Sequence, residues 1–146
     1  MTEDQLEQET LGWLADVGYS VVHGVNLGPD IAPDGSAPER DNYRQVILTG
    51  RLRAAIDRLN PGVPAAARDD ALKQVVDLGA VALMTANRRF HQLLVTGVPV
   101  QYQKDGETRG DFVRLIDWAN TASNDWLAVN QFSIKGPHHT RRPDII

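Results

Sequence analysis

Residues 98–118 read VPVQYQKDGETRGDFVRLIDW. Val98, Val100 and Tyr102 alternate with polar residues, the period of a half-buried strand. Lys104-Asp105-Gly106-Glu107 predicts a hairpin, because Asp-Gly supplies the positive φ angles of a tight turn. The return strand is expected over about Asp111–Trp118. Everything before this stretch has mostly helical periodicity, and everything after it reads as strand and loop. Helices first and strands after predict an α+β (or α/β) class with a largely antiparallel sheet.

Upstream, a first helix is predicted from Thr2 or Glu3 to Val17. Thr2 suits the N-cap, and Glu3 and Asp4 suit the positive end of the helix dipole. Leu6, Trp13 and Val17 make its apolar stripe, with Leu11 and Leu14 beside it, and Gly18 fits the C-terminal cap. Tyr19–Val22 reads as a short strand and His23–Arg40 as a long Gly/Pro/Asp-rich loop. A second helix fits Asn42–Leu59 on Leu48, Leu52, Ile56 and Leu59. A third starts near Pro64 and buries Ala71, Val75, Leu78 and Ala82. Helix continues to Leu94 or Val95, with a break near Gly79 or Thr85, and Gly97 ends it. Downstream, a strand is expected over Trp126–Ile134, then a basic loop Lys135–Arg142, then a last strand from Pro143. Trp13, Trp118 and Trp126 fall at apolar positions and are expected in the core.

The chain has 146 residues, enough for one domain spanning 1–146. Its net charge is −4, whereas a stand-alone non-specific DNA binder is usually basic. Contact with nucleic acid must therefore come from a local patch or from other parts. There is no cysteine, hence no disulfide and no thiolate zinc site. No apolar run is long enough for a membrane span, and the acidic start MTEDQLEQE does not resemble a signal peptide. A cytoplasmic protein without membrane contact is the default expectation.

A few residues stand out chemically. Pro143 precedes Asp144 at the predicted start of the last strand, where a missing N–H is tolerated. Taken alone, that dipeptide is a strand-capping Asp after a turn. Glu9 lies three residues after Leu6 and four before Trp13, which puts a carboxylate on the apolar stripe of the first helix. Solvation is the plainer reading for Glu9, and Glu3 and Glu7 read as surface charges. Lys135, His138, His139, Arg141 and Arg142 fall close together and adjoin Asp144; arginines there suit phosphate contacts. The adjacent histidines read as a solvated loop. His23 and His91 are isolated, and Arg88 and Arg89 make the surroundings of His91 basic.

Several segments in order resemble the N-terminal part of the R (restriction) subunit of type I restriction endonucleases. They are ERDNYRQVIL (39–48), LNPGVP (59–64), NRRFHQLLVTGVPVQYQKDGE (87–107), VRLIDW (113–118), NDWLAVNQF (124–132) and GPHHTRRPDII (136–146). Their spacing also fits, and the resemblance runs from about Glu3 to Ile146. It implies a restriction-endonuclease-like fold of the PD-(D/E)xK superfamily, in which Pro143-Asp144 is the first half of the motif. Asp144 is then a metal ligand, with Glu9 the candidate acidic ligand from the first helix. Lys135, Arg141 and Arg142 would contact DNA phosphates.

The same resemblance implies Mg2+-dependent cleavage of double-stranded DNA, coupled to ATP-driven translocation by helicase-like motor domains. It implies methyltransferase (M) and specificity (S) subunits as partners. The second half of the motif, Glu-x-Lys, is expected on the strand after Asp144, and ATP belongs to the motor domains; neither is contained in these 146 residues. The expectation is an incomplete site with negligible cleavage by this chain alone. The alternatives are a non-catalytic docking or structural module and a PD-(D/E)xK nuclease without motors.

Overall fold

The computed structural model describes residues 2–79 and 82–146. In chain order its elements are α1 (Glu3–Asp16), β1 (Ser20–His23), α2 (Thr49–Leu59), α3 (Ala65–Val76), α4 (Leu83–Thr96), β2 (Val98–Lys104), β3 (Glu107–Val113), β4 (Leu127–Asn130), β5 (Ile134–Lys135) and β6 (Thr140–Arg141). Short 3-10 turns lie at Gly24–Leu27 and Thr121–Ser123. Helices dominate the first two thirds, and two of the three strand pairs are antiparallel, the α+β class the sequence predicts. The chain divides into two compact units: the segment up to Leu48 together with Asp125–Ile146, and the intervening Thr49–Asn124. The expected helix around residues 80–81 lies outside the described residues.

In the first unit, α1 begins on a capping box. The Gln5 N–H donates to Thr2 Oγ1 at 3.3 Å and the Thr2 N–H donates to Gln5 Oε1 at 2.9 Å. The helix buries Leu11 and half-buries Glu7 and Leu14. Leu6, Trp13 and Val17, the predicted stripe, are exposed. The packed face is thus turned by one residue, roughly 100° around the helix. The turn becomes possible because Glu7, polar but fully bonded, can occupy the inward face.

β1 pairs with β4 in parallel, Ser20 opposite Leu127 through His23 opposite Asn130. The last residues run antiparallel along the other edge of β4. Val129 and Ile146 exchange N–H···O bonds of 2.9 Å each way, and the Gln131 N–H donates to the Asp144 carbonyl at 3.0 Å. In place of the predicted terminal strand there is an isolated Asn130–Ile145 bridge flanked by these bonds, with Asp144 in a bend beside it. The basic loop, in contrast, is a small hairpin of β5 and β6. Leu27, Val129 and Phe132 form the buried core here, flanked by Val22, Leu48, Leu127 and Ile134.

The loop is longer than expected, because α2 starts at Thr49 and not at Asn42. The Asn42 side chain accepts from the Arg44 N–H at 2.9 Å, a local turn that competes with helix. Arg40 pins the loop from inside. Its Nε donates to the Leu27 carbonyl at 2.7 Å, and its Nη1 donates to Ser133 at 2.9 Å and Gln45 at 3.3 Å. The guanidinium lies 4.1 Å from the Phe132 ring centre and 5.3 Å from that of Tyr43. Burial pushes its pKa down.

In the second unit α2 buries Ile56, and α3 buries Ala67, Ala71, Leu72 and Val75 against β2. Arg53–Asp69 and Arg68–Asp57 ion pairs join the two helices. β2 and β3 form the predicted hairpin, with Asp105 (φ 57°) and Gly106 (φ 82°) in its turn. Its return strand is Glu107–Val113, earlier than expected, with Val98, Val100 and Val113 buried and the rest of β3 exposed. Asn60 clamps the end of β3: Nδ2 donates to the Ile56 and Arg114 carbonyls at 2.8 Å each, and Oδ1 accepts from the Arg114 N–H at 2.7 Å. The expectation of core tryptophans fails for two of three. Trp13 is 60% and Trp118 56% exposed, while Trp126 is half-buried beside Tyr19. No helix among the described residues is long and apolar enough to cross a membrane.

Candidate functional site

The site forms where β4 stops. Asn130 is the last residue of β4 and is buried, and Gln131 then turns into the left-handed region at φ 52°. For a non-glycine residue that conformation is uncommon and points to a tightly determined position. Gly24, just after β1, makes the turn possible. A Cβ there would sit 2.4 Å from the Asn130 carbonyl oxygen and 2.6 Å from that of Gln131, so only glycine fits.

From this corner the two amide side chains reach α1. Asn130 Nδ2 donates to Glu7 Oε1 at 2.8 Å, and Gln131 Nε2 donates to Glu7 Oε2 at 2.6 Å. Both carboxylate oxygens of Glu7 are thereby engaged. Gln131 Nε2 also donates to Asp144 Oδ1 at 3.3 Å, so one amide nitrogen serves two carboxylates. The Asn130 amide is oriented by its bond to Glu7, which leaves its Oδ1 facing His23 Nδ1 at 2.9 Å. An oxygen there requires Nδ1 to carry the proton.

The electrostatics follow from these bonds. The Asn130 amide, then the Gln131 amide, hold the Glu7 carboxyl below its ordinary pKa; His23 and Arg142 add weaker attraction, and partial burial opposes them. Next to the network a cavity of about 300 Å3 is lined by His23, Gly24, Val25, Tyr43, Asn130, Gln131, Ser133 and Arg142. Asp144 is exposed. Among the described residues no three His, Cys, Asp or Glu side chains are grouped to hold a metal ion. The groups that do meet are two carboxylates joined through the NH2 group of one amide; the carboxylate oxygens suit a hard divalent cation rather than zinc or copper.

A family model described as the type I restriction enzyme R protein N terminus matches residues 1–146. The chain belongs to this family. It is 32% identical over 147 residues to the type I restriction enzyme HindI endonuclease subunit of Haemophilus influenzae. It is 30% identical over 150 residues to the protein described as the type I restriction enzyme MjaIXP endonuclease subunit of Methanocaldococcus jannaschii. Each match covers the whole of this chain and 14% of the relative. No solved structure is significantly similar to it.

In this R-protein N-terminal region the sequence candidates fall unevenly. Asp144 joins the network, and Arg142 lines its cavity. Glu9 is exposed, about 200° around α1 from Glu7, and takes no part in the bonding described above. Lys135 and Arg141 are exposed on the β5–β6 hairpin. Lys135 lines a separate cavity of about 590 Å3 with Asp30, Asp41 and Arg44 among its other walls. Sequence reasoning missed Glu7, His23, Asn130 and Gln131. The one available signal was Asn130-Gln131 directly after an apolar strand, two amides where the pattern of the sheet should have continued.

Proposed function

We propose that this region supplies part of the nuclease centre of a type I restriction R subunit, acting in Mg2+-dependent cleavage of double-stranded DNA. The observation that carries the reading is the single Gln131 amide bonded to the carboxylates of both Glu7 and Asp144. Asp144 and Glu7 would hold the cation, Glu7 taking the place the sequence suggested for Glu9. Once bound, Mg2+ would orient the attacking water and stabilise charge on the phosphate. Asp144 is exposed, so its carboxylate is open to an ion from solvent.

The basic residues position DNA without reading its sequence. Arg142, on the cavity wall and close enough to attract Glu7, would face the scissile phosphate, and Arg141 and Lys135, exposed on the β5–β6 hairpin, would reach neighbouring phosphates. Cleavage would also need the Glu-x-Lys half of the centre, which the residues described do not supply. In the whole subunit, cleavage is coupled to ATP-driven translocation by motor domains, and the M and S subunits are its partners in the cytoplasm.

Asp144→Ala in the complete subunit, assembled with M and S, tests this. The expected result is loss of DNA cleavage with ATP hydrolysis and translocation retained; undiminished cleavage overturns the reading. A second reading, a docking module for other subunits, draws on the line of exposed Leu6, Trp13 and Val17 along α1. It predicts that Trp13→Ser weakens assembly without changing the metal dependence of cleavage.

A further inference from the structure

The side chain of Gln131 does more than fill the corner after β4. Its backbone is held on both sides, by the left-handed φ of 52° and by the 3.0 Å bond from its N–H to the Asp144 carbonyl. A primary amide has two N–H donors and one acceptor oxygen. The nitrogen lies 2.6 Å from Glu7 Oε2 and 3.3 Å from Asp144 Oδ1, so its donors are committed to two anions. Two carboxylates brought to one group repel unless positive charge lies between them. The partial positive charge of the NH2 group stands in that place. The amide oxygen, by covalent geometry, faces away from them.

Resting on the reading that Asp144 and Glu7 hold a divalent cation, we infer that Gln131 is a positioning residue with two states. Before the ion arrives, its NH2 group holds the two carboxylates together and so reduces the reorganisation that binding requires. With a cation bound in place of that group, a turn of the amide plane would offer Oε1 as a further oxygen ligand. Hard divalent cations accept amide oxygens alongside carboxylates, so the turn exchanges one favourable contact for another. Asn130 does not share this role, because its two amide ends are divided between Glu7 and His23.

The test is calorimetric titration of Mn2+ into the complete subunit without nucleotide, following the binding event that Asp144→Ala removes. Gln131→Ala should weaken that event by about tenfold, as outer ligand-orienting groups do. Gln131→Glu supplies an oxygen but no donor. It should bind Mn2+ at least as tightly as wild type, while its unfolding temperature without Mn2+ falls and recovers on adding the ion. Gln131→Asn, which keeps the amide on a shorter stem, should lie between wild type and alanine, and it replaces Gln131→Ala if that variant does not fold. Wild-type affinity in both the alanine and glutamate variants overturns the positioning role while leaving the cation reading intact. A glutamate variant as weak as alanine overturns the donation of Oε1. Unchanged binding in Asp144→Ala overturns the cation reading, and this inference with it.

Discussion

Glu7 accepts a 2.6 Å hydrogen bond from Gln131, which lies 124 residues further along the chain. With the Asn130 amide on its other oxygen, the carboxylate is committed to β4, and α1 is locked at one rotation. Removing the charge while keeping the shape tests this. Glu7→Gln should destabilise the protein by about 1 kcal/mol, below the usual range for charged hydrogen bonds because the carboxylate is only half-buried. Glu9→Gln should stay within about 0.5 kcal/mol of wild type, as exposed substitutions do. Urea unfolding of both variants measures the difference.

The same bonds give an acid dependence of stability. The folded pKa of Glu7 lies below its ordinary value of 4.5, so the unfolded chain binds the proton more readily. Its contribution is therefore fully present above that value and is lost as pH falls through the folded pKa. Urea midpoints measured from neutral pH downward should fall more steeply for wild type than for Glu7→Gln, and equal slopes would remove Glu7 from the account.

Gly24 is where the chain leaving β1 passes the carbonyls of Asn130 and Gln131. A methyl at this position meets backbone, not a side chain that can move aside. Gly24→Ala should cost about 2 kcal/mol or more. It should also shift the side-chain amide NMR signals of Asn130 and Gln131, because the corner that aims them must move.

Arg40 holds the loop before α2 through carbonyls, not through an acid. Arg40→Lys keeps the charge but loses the planar fork, leaving Leu27 and Ser133 carbonyls short of donors. A loss of about 2 kcal/mol is expected. Limited proteolysis should then cut between Gly28 and Leu48 faster than in wild type.

What could be read in the sequence was local. Thr2 as N-cap and Asp105 with Gly106 specify a helix start and a hairpin within a few residues, and both form. The face of α1 could not be read, because Glu7 looks solvated until Asn130 and Gln131 are known to lie against it. The start of α2 was misjudged for a similar reason: periodicity alone does not show that Arg40 and Asn42 hold the chain in a turn. At the site, Asp144 was visible because its dipeptide belongs to a family pattern. Its neighbours come from α1, from the end of β1 and from the end of β4, and only the parallel β1–β4 pairing brings them to one corner.

The most direct test compares Glu7→Ala with Glu9→Ala in the complete subunit, reading Mn2+ affinity at the Asp144-dependent site together with DNA cleavage in the assembled enzyme. The account predicts that Glu7→Ala weakens binding by about tenfold or more and lowers cleavage, while Glu9→Ala changes neither. The reverse pattern, with Glu9→Ala impaired and Glu7→Ala unaffected, would contradict it.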